Sequence, residues 1–138
     1  MRVDVLTREY PPDIYGGAGV HVAELVRVLR QLRPDGPDGA ALDVRVRAWG
    51  LADGERDEAG TTSHPELAEL AGANAALRVL GVDLSMAAAV TGNGGAAGAE
   101  GGSTDLVHSH TWYANLAGHV SGLLDARRAV RVTHVCTT

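Results

Sequence analysis

Thr7–Leu29 reads TREYPPDIYGGAGVHVAELVRVL, and this stretch decides how the rest of the chain is organised. It starts at the end of Arg2–Thr7, a short alternating segment that predicts a first β-strand. The adjacent prolines beginning at Pro11 forbid a helix in the following loop. From Gly17 to Leu32, apolar residues then recur at helical spacing. The stretch therefore predicts a strand, a stiff loop and a helix.

Three glycines, Gly16, Gly17 and Gly19, mark the junction between this loop and the helix. A helix N-terminus attracts phosphate through its unpaired N–H groups and its dipole, and glycine allows a ligand to approach the backbone. The dinucleotide fingerprint of dehydrogenases fails, because its last glycine is missing and the glycines lie far beyond the strand. No acid for a ribose follows strand two until Asp53. The glycines thus form either an anion loop or only a tight bend.

Further strands and helices alternate along the chain. Strands are predicted at Leu42–Trp49, Thr104–Ser109 and Ala129–Val135, and helices at His64–Ala73, at Asn74–Val90 (one or two) and at Trp112–Leu124. The segment Gly50–Ser63 is polar and is predicted to be a loop. Such alternation favours an α/β fold, a Rossmann-like parallel sheet with helices on both faces. In such sheets a binding site lies at the carboxyl ends of the strands, where the glycine loop and the residues after strand three converge.

Composition narrows the function classes. The net charge of −5 argues against a nucleic-acid binder, and no run approaches the length of a membrane span. No secretory signal pattern follows Met1, and Cys136 is the single cysteine, so we expect a cytoplasmic protein without an intrachain disulfide. The glycine-rich segment 91–103 has almost no large apolar side chain and is expected to be a flexible loop. The chain 1–138 is expected to form one domain.

The pattern His108-Ser109-His110 permits several interpretations. Side chains two apart on a strand share a face, so both imidazoles could converge on a metal. Zinc needs three or four ligands, however, and no convincing second pair is present, so we expect no metal site. Either histidine could be a hydrogen-bonded core residue, or His110 could contact a bound sugar or phosphate.

Polar and aromatic residues cluster at the same predicted edge. Arg8 follows strand one and could offset a diphosphate charge, while Glu9 could fix the loop or bind a sugar hydroxyl. Trp112 and Tyr113 could stack on a sugar or could simply pack the helix against the sheet. Asn115 could line the same pocket or be an ordinary helix residue. No pair of carboxylates has the spacing for glycoside hydrolysis.

Two motifs together resemble a known family. TREYPPDIYGGAGVHVAELVRVLR, followed later by DLVHSHTWYANLAGHVSGLL, resembles the N-terminal part of retaining GT-B glycosyltransferases, specifically the bacterial glycogen synthases of the actinobacterial type. The resemblance extends to about Leu124. It implies two Rossmann-like domains, of which the N-terminal one holds the acceptor and the C-terminal one binds most of the nucleotide sugar.

The resemblance also implies roles for individual residues. Gly16, Gly17 and Gly19 match the glycine loop near the donor diphosphate, and His110 matches the motif histidine, the expected catalytic group. Tyr15 stands where related synthases carry a lysine that contacts the diphosphate. The expected acceptor and sugar pocket consists of Arg8, Glu9, Tyr15, Trp112, Tyr113 and Asn115. No cofactor is implied, and the expected partners are a nucleotide sugar and a glucan or sugar-phosphate acceptor, without nucleic acid or membrane.

The expected function is therefore that of the acceptor-side domain of a glucosyltransferase in glycogen synthesis. It would move glucose from ADP-glucose or UDP-glucose to an α-glucan or to glucose 1-phosphate, and it would be inactive without the family's C-terminal domain. The alternative is a stand-alone module, binding or regulatory, for a sugar phosphate or nucleotide; a generic dinucleotide-binding domain is a weaker third. The fold is expected to be an incomplete half of a GT-B enzyme, whose open sheet edge favours self-association.

Overall fold

The computed structural model describes residues 1–50, 54–55, 58–92, 104–124 and 131–135. The helices and strands in chain order are β1 (Arg2–Thr7), α1 (Gly17–Gln31), β2 (Asp43–Trp49), β3 (Gly54–Glu55), β4 (Thr61–His64), α2 (Ala75–Val90), β5 (Leu106–His110), α3 (Trp112–Leu124) and β6 (Arg131–Val135). A single 3-10 turn at Ala68–Leu70 precedes α2.

The strands form one sheet in the order β3-β4-β2-β1-β5-β6. All neighbouring pairs are parallel except β3 and β4, which pair antiparallel. This arrangement confirms the predicted α/β class with its parallel sheet. The antiparallel pair at one end of the sheet was not predicted.

Helices cover both faces of the sheet. The side chains of the central strand β1 point alternately towards these two faces. Val3 and Val5 face α1 and pack with its buried Val22 and Val26. Leu6 points the opposite way, towards α2 and α3. The second core consists of Leu6, Val82, Met86, Val90, Val107, Ala114 and Ala117. Because its helices lie on the two faces, the edge of the sheet beyond the strand ends stays open for a site.

A buried ion pair joins the two central strands on the α2 and α3 side. Arg47 Nε lies 3.0 Å from Asp4 Oδ1, and the Thr104 hydroxyl donates to Asp4 Oδ2 at 2.6 Å. Arg47 also donates to the Thr62 hydroxyl at 3.0 Å. The alternation in β1 therefore does not divide a buried face from a solvent face, since Asp4 is 1% exposed.

Two predictions between β2 and α2 are wrong. The expected loop Gly50–Ser63 contains β3 and the beginning of β4, which pairs with β2 from Val46↔Thr61 onwards. The sequence of β4, Thr61–His64, has no apolar alternation, so pairing with the neighbouring strand rather than a local pattern makes it a strand. The expected helix His64–Ala73 is only the 3-10 turn at Ala68–Leu70.

The segment Asn74–Val90 forms one helix rather than two. Asn74 is the N-cap, and its side chain accepts a hydrogen bond from Leu77 N at 3.0 Å. Gly81 does not interrupt the helix. A Cβ added there would lie 2.8 Å from Leu70 Cδ1, so the glycine makes room for the 3-10 turn to pack against α2.

Some predictions fall on residues outside the described part of the chain. Residues 93–103 of the glycine-rich segment lie there, as do Cys136 and Asp53. Within the described ranges, β6 confirms most of the predicted strand Ala129–Val135. None of the helices seen in those ranges combines the length and the apolar character that crossing a bilayer would need.

Candidate functional site

The carboxyl ends of three adjacent strands bring the predicted site segments together. In the parallel register Thr7 lies opposite Ala48, and Leu6 lies opposite Ser109. The residues that follow β1, β2 and β5 therefore emerge side by side at one edge. This convergence was the main structural expectation from the sequence.

Arg8 forms the centre of a group of aromatic rings at this edge, which we call the aromatic–arginine cluster (Arg8, Tyr15, Trp49 and Tyr113). The guanidinium carbon of Arg8 lies 3.9 Å from the ring centroid of Tyr113, 4.6 Å from that of Trp49 and 5.6 Å from that of Tyr15. Trp49 and Tyr113 meet edge to face with centroids 6.0 Å apart. These cation–π contacts hold the arginine side chain against the strand ends.

A pocket of about 470 Å³ opens beside this cluster. Its lining consists of Arg8, Pro12, Asp13, Ile14, Tyr15, Trp49, Gly50 and Glu66. The volume lies in the range of small-molecule sites, which are about 300–1,000 Å³. The lining combines aromatic surface with one cation and two carboxylates, a composition that suits a sugar, whose ring can stack on the aromatic groups and whose hydroxyl groups can donate to the carboxylates.

Sequence reasoning identified only part of this pocket. Arg8 and Tyr15 were predicted, whereas Trp49 and Glu66 were not. Trp49 could have been found, because it ends a strand that was predicted correctly and that neighbours β1 in the sheet. No sequence pattern indicated Glu66 as a site residue, since it lies in the segment wrongly predicted as a helix.

Glu9 packs against the glycine loop and does not line the pocket. Its carboxylate accepts hydrogen bonds from Gly16 N at 2.8 Å and from Tyr15 N at 3.3 Å. A Cβ added to Gly19 would lie 2.9 Å from Glu9 Cβ, whereas one added to Gly17 would meet nothing within 4 Å. Glu9 therefore fixes the loop, one of the two roles considered for it, and Gly16 and Gly19 leave space for its side chain. A diphosphate role for the three glycines stays a prediction.

Three histidines meet near the start of α1. His108 and His110 stack with ring centroids 4.5 Å apart, and His21 contacts His110 edge to face at 5.6 Å. His21 was not predicted as a site residue, although its position in the first turns of α1, next to the glycine loop, places it at the same sheet edge. In the part of the chain that the structure describes, no set of three or more histidine, cysteine or acidic side chains is arranged to hold a metal ion.

His110 is the most deeply buried of these histidines, at 1% exposure. Burial, assisted by His108 and His21, lowers the pKa of His110 to about 4. Its imidazole is therefore neutral at pH 7 and can donate one hydrogen bond and accept another. Among the described residues its Nε2 is buried and has no hydrogen-bond partner.

Of the remaining predicted residues, Trp112 is exposed and Asn115 connects α3 to β5. Trp112 is 60% exposed, with its ring 3.8 Å from that of Tyr113 on the outside of the cluster. Asn115 accepts a hydrogen bond from the Ser109 hydroxyl at 3.0 Å, which ties α3 to β5. Neither lines the pocket. Between β5 and α3, Thr111 has a φ of 64°, a strained value for a β-branched residue, and this turn sets the direction of the chain between His110 and Trp112.

Comparison with known proteins gives relatives of one kind. The chain is 48% identical over 124 residues to the alpha-maltose-1-phosphate synthase of Mycolicibacterium smegmatis, and 42% identical over 124 residues to that of Mycobacterium tuberculosis. Each match covers 90% of this chain but 26% of the relative, so the chain spans about a quarter of the length of the curated relatives it matches. No family model matches the chain. The predicted resemblance to a fragment of an actinobacterial GT-B glycosyltransferase is confirmed by these homologues.

Proposed function

We propose that this chain forms the acceptor-side wall of a glucosyltransferase of α-glucan synthesis. Glucose would pass from ADP-glucose or UDP-glucose to an α-glucan or to glucose 1-phosphate. The observation that carries the proposal is the 42–48% identity to alpha-maltose-1-phosphate synthases across nine-tenths of the chain. The position of the pocket at the carboxyl edge of the parallel sheet supports it independently, because binding sites of open α/β sheets lie there.

The acceptor sugar would occupy the pocket beside the aromatic–arginine cluster. Trp49 and Tyr15 offer aromatic surface on which a sugar ring can stack, while Asp13 and Glu66 offer carboxylates that can accept hydrogen bonds from hydroxyl groups. Trp112 would extend the aromatic surface outside the pocket.

The transferred glucose would approach His110 and the start of α1. The imidazole of His110 is neutral, and its buried Nε2 has no hydrogen-bond partner among the described residues, so it could bond to a sugar hydroxyl that reaches it. Gly17, the most open of the three glycines, would lie nearest the donor diphosphate at the helix N-terminus. His110 is thus the residue of this chain that we assign to contact the reacting sugar.

A second candidate is a stand-alone binding module for a sugar phosphate. It is favoured by one observation: residues of this chain alone line a pocket of about 470 Å³. The two candidates share the pocket and differ in whether the bound sugar is an acceptor for transfer.

Calorimetry on the purified chain tests the proposal. We expect glucose 1-phosphate to bind with a dissociation constant on the order of 1 mM, equivalent to about 4 kcal/mol, because only one wall of the cleft contributes. We also expect no glucose transfer from ADP-[14C]glucose, since stabilising the transition state needs donor contacts from the opposite wall. A Trp112→Phe variant leaves Trp49 as the single tryptophan, and its fluorescence then reports binding in the pocket itself.

Two results would count against the proposal. A folded chain whose Trp49 fluorescence does not respond to any of these sugars would have no acceptor pocket. Transfer of radioactive glucose by the purified 138-residue chain would show that it is more than an acceptor-side wall.

A further inference from the structure

We propose that Arg8 is the specificity-determining residue of the pocket: it binds the phosphate of a phosphorylated sugar and so favours this acceptor over a neutral one. The inference rests on the proposed function, because it names the substrate class that the same pocket takes. It is carried by the unusual surroundings of the Arg8 guanidinium.

The charge of Arg8 is not neutralised within the described residues. No Asp or Glu oxygen there lies within ion-pair distance of its guanidinium, whereas several other described arginines have carboxylate partners. Those pairs include Arg2 with Asp43, Arg30 with Glu58, Arg47 with Asp4 and Arg78 with Glu66. A half-buried cation that lines a pocket and has no carboxylate partner attracts an anionic ligand.

The aromatic contacts leave the guanidinium able to bind an anion. The guanidinium carbon lies 3.9 Å from the ring centroid of Tyr113 and 4.6 Å from that of Trp49, and these two rings are inclined at 70° to each other. The N–H donors lie along its edge, in the fork geometry that matches two oxygens of a phosphate. Because the rings already hold the side chain, little further rotamer entropy is lost when the phosphate binds.

The other charges at this edge direct a phosphate to Arg8. Asp13 and Glu66 line the pocket and would repel a phosphate placed beside them, while they can accept hydrogen bonds from sugar hydroxyls. A hexose 1-phosphate therefore satisfies Arg8, Asp13 and Glu66 best when its phosphate lies on Arg8 and its ring lies against Trp49.

The test compares three ligands: glucose 1-phosphate, glucose and inorganic phosphate. Dissociation constants are measured for the full chain and for Arg8→Gln, at low and at high salt. The matched control is Arg27→Gln, which removes an equal charge from an exposed arginine on α1 that pairs with Glu24 at 2.9 Å. Melting curves establish that each variant is folded.

We expect the full chain to bind glucose 1-phosphate at least about 10-fold more tightly than glucose, and the preference to fall with salt. Arg8→Gln should reduce the preference to about 2-fold or less by weakening glucose 1-phosphate binding, with glucose binding unchanged; Arg27→Gln should leave it intact. If Arg8→Gln does not fold, Arg8→Lys takes its place: it keeps the charge but loses the fork, and we expect about a 3- to 10-fold loss.

The outcomes separate this inference from the proposed function. A full chain that binds glucose as tightly as glucose 1-phosphate, or an Arg8 variant that keeps the preference, would overturn the assignment of Arg8 and leave the sugar pocket standing. Binding of glucose 1-phosphate no tighter than inorganic phosphate, but dependent on Arg8, would keep Arg8 as the anion site and contradict the sugar-binding function.

Discussion

Replacing Asp4 with alanine should lower the free energy of unfolding by about 3–5 kcal/mol. Asp4 is 1% exposed and accepts hydrogen bonds from Arg47 at 3.0 Å and from Thr104 at 2.6 Å. The substitution leaves the guanidinium of Arg47, a residue only 7% exposed, buried without its carboxylate. Urea denaturation followed by far-UV circular dichroism measures the loss.

Asp43→Ala is the matched control for this prediction. Asp43 also lies on a central strand and pairs with an arginine, Arg2, at 2.8 Å, but its side chain is 49% exposed. Water screens such a pair, so we expect a loss of less than about 1 kcal/mol. Equal losses for the two substitutions would show that burial is not what makes the Asp4 pair important.

The second large effect is expected for Gly19→Ala in α1. The new methyl group would lie 2.9 Å from Glu9 Cβ and 3.1 Å from Ile14 Cγ1. Glu9 Cβ is attached to the backbone and cannot swing aside, so the loop must move. Overpacking of this kind costs about 1–3 kcal/mol, which exceeds the gain of under about 1 kcal/mol from alanine's better helix propensity.

Gly17→Ala provides the comparison in the same helix. A methyl group there meets no atom within 4 Å, and the residue is already helical. We expect unchanged stability or a gain of up to about 1 kcal/mol, because alanine restricts the unfolded chain. A thermal melt that ranks Gly17→Ala below Gly19→Ala would contradict the packing of Glu9 against the glycine loop.

Periodicity and turn residues made most of the fold predictable. The strand at Arg2–Thr7 and the helix at Trp112–Leu124 match the predicted bounds, and the predicted helix from Gly17 ends one residue earlier than expected. Each has a clear apolar pattern and a proline, glycine or polar segment at its boundary. Thr61–His64 has no such pattern and is a strand because β2 offers it hydrogen-bond partners, which no local rule can reveal.

The site was predictable in place but not in detail. Parallel topology was enough to bring Arg8 and His110 to one edge. It did not show that Glu9 turns back onto Gly16, because this contact depends on the path of the proline loop. His21 was missed because His110, the residue that it contacts on β5, is almost ninety residues away in sequence.

The most direct test of the central claim is a chimera. The 124-residue matched segment of this chain replaces its counterpart in the Mycolicibacterium smegmatis alpha-maltose-1-phosphate synthase, to which it is 48% identical. A control chimera carries the corresponding segment of the Mycobacterium tuberculosis synthase, and formation of maltose 1-phosphate is measured with the donors and acceptor named in the proposed function. We expect both chimeras to form the product. A folded chimera that forms none, beside an active control, would contradict the assignment of this chain as the acceptor-side wall of such an enzyme.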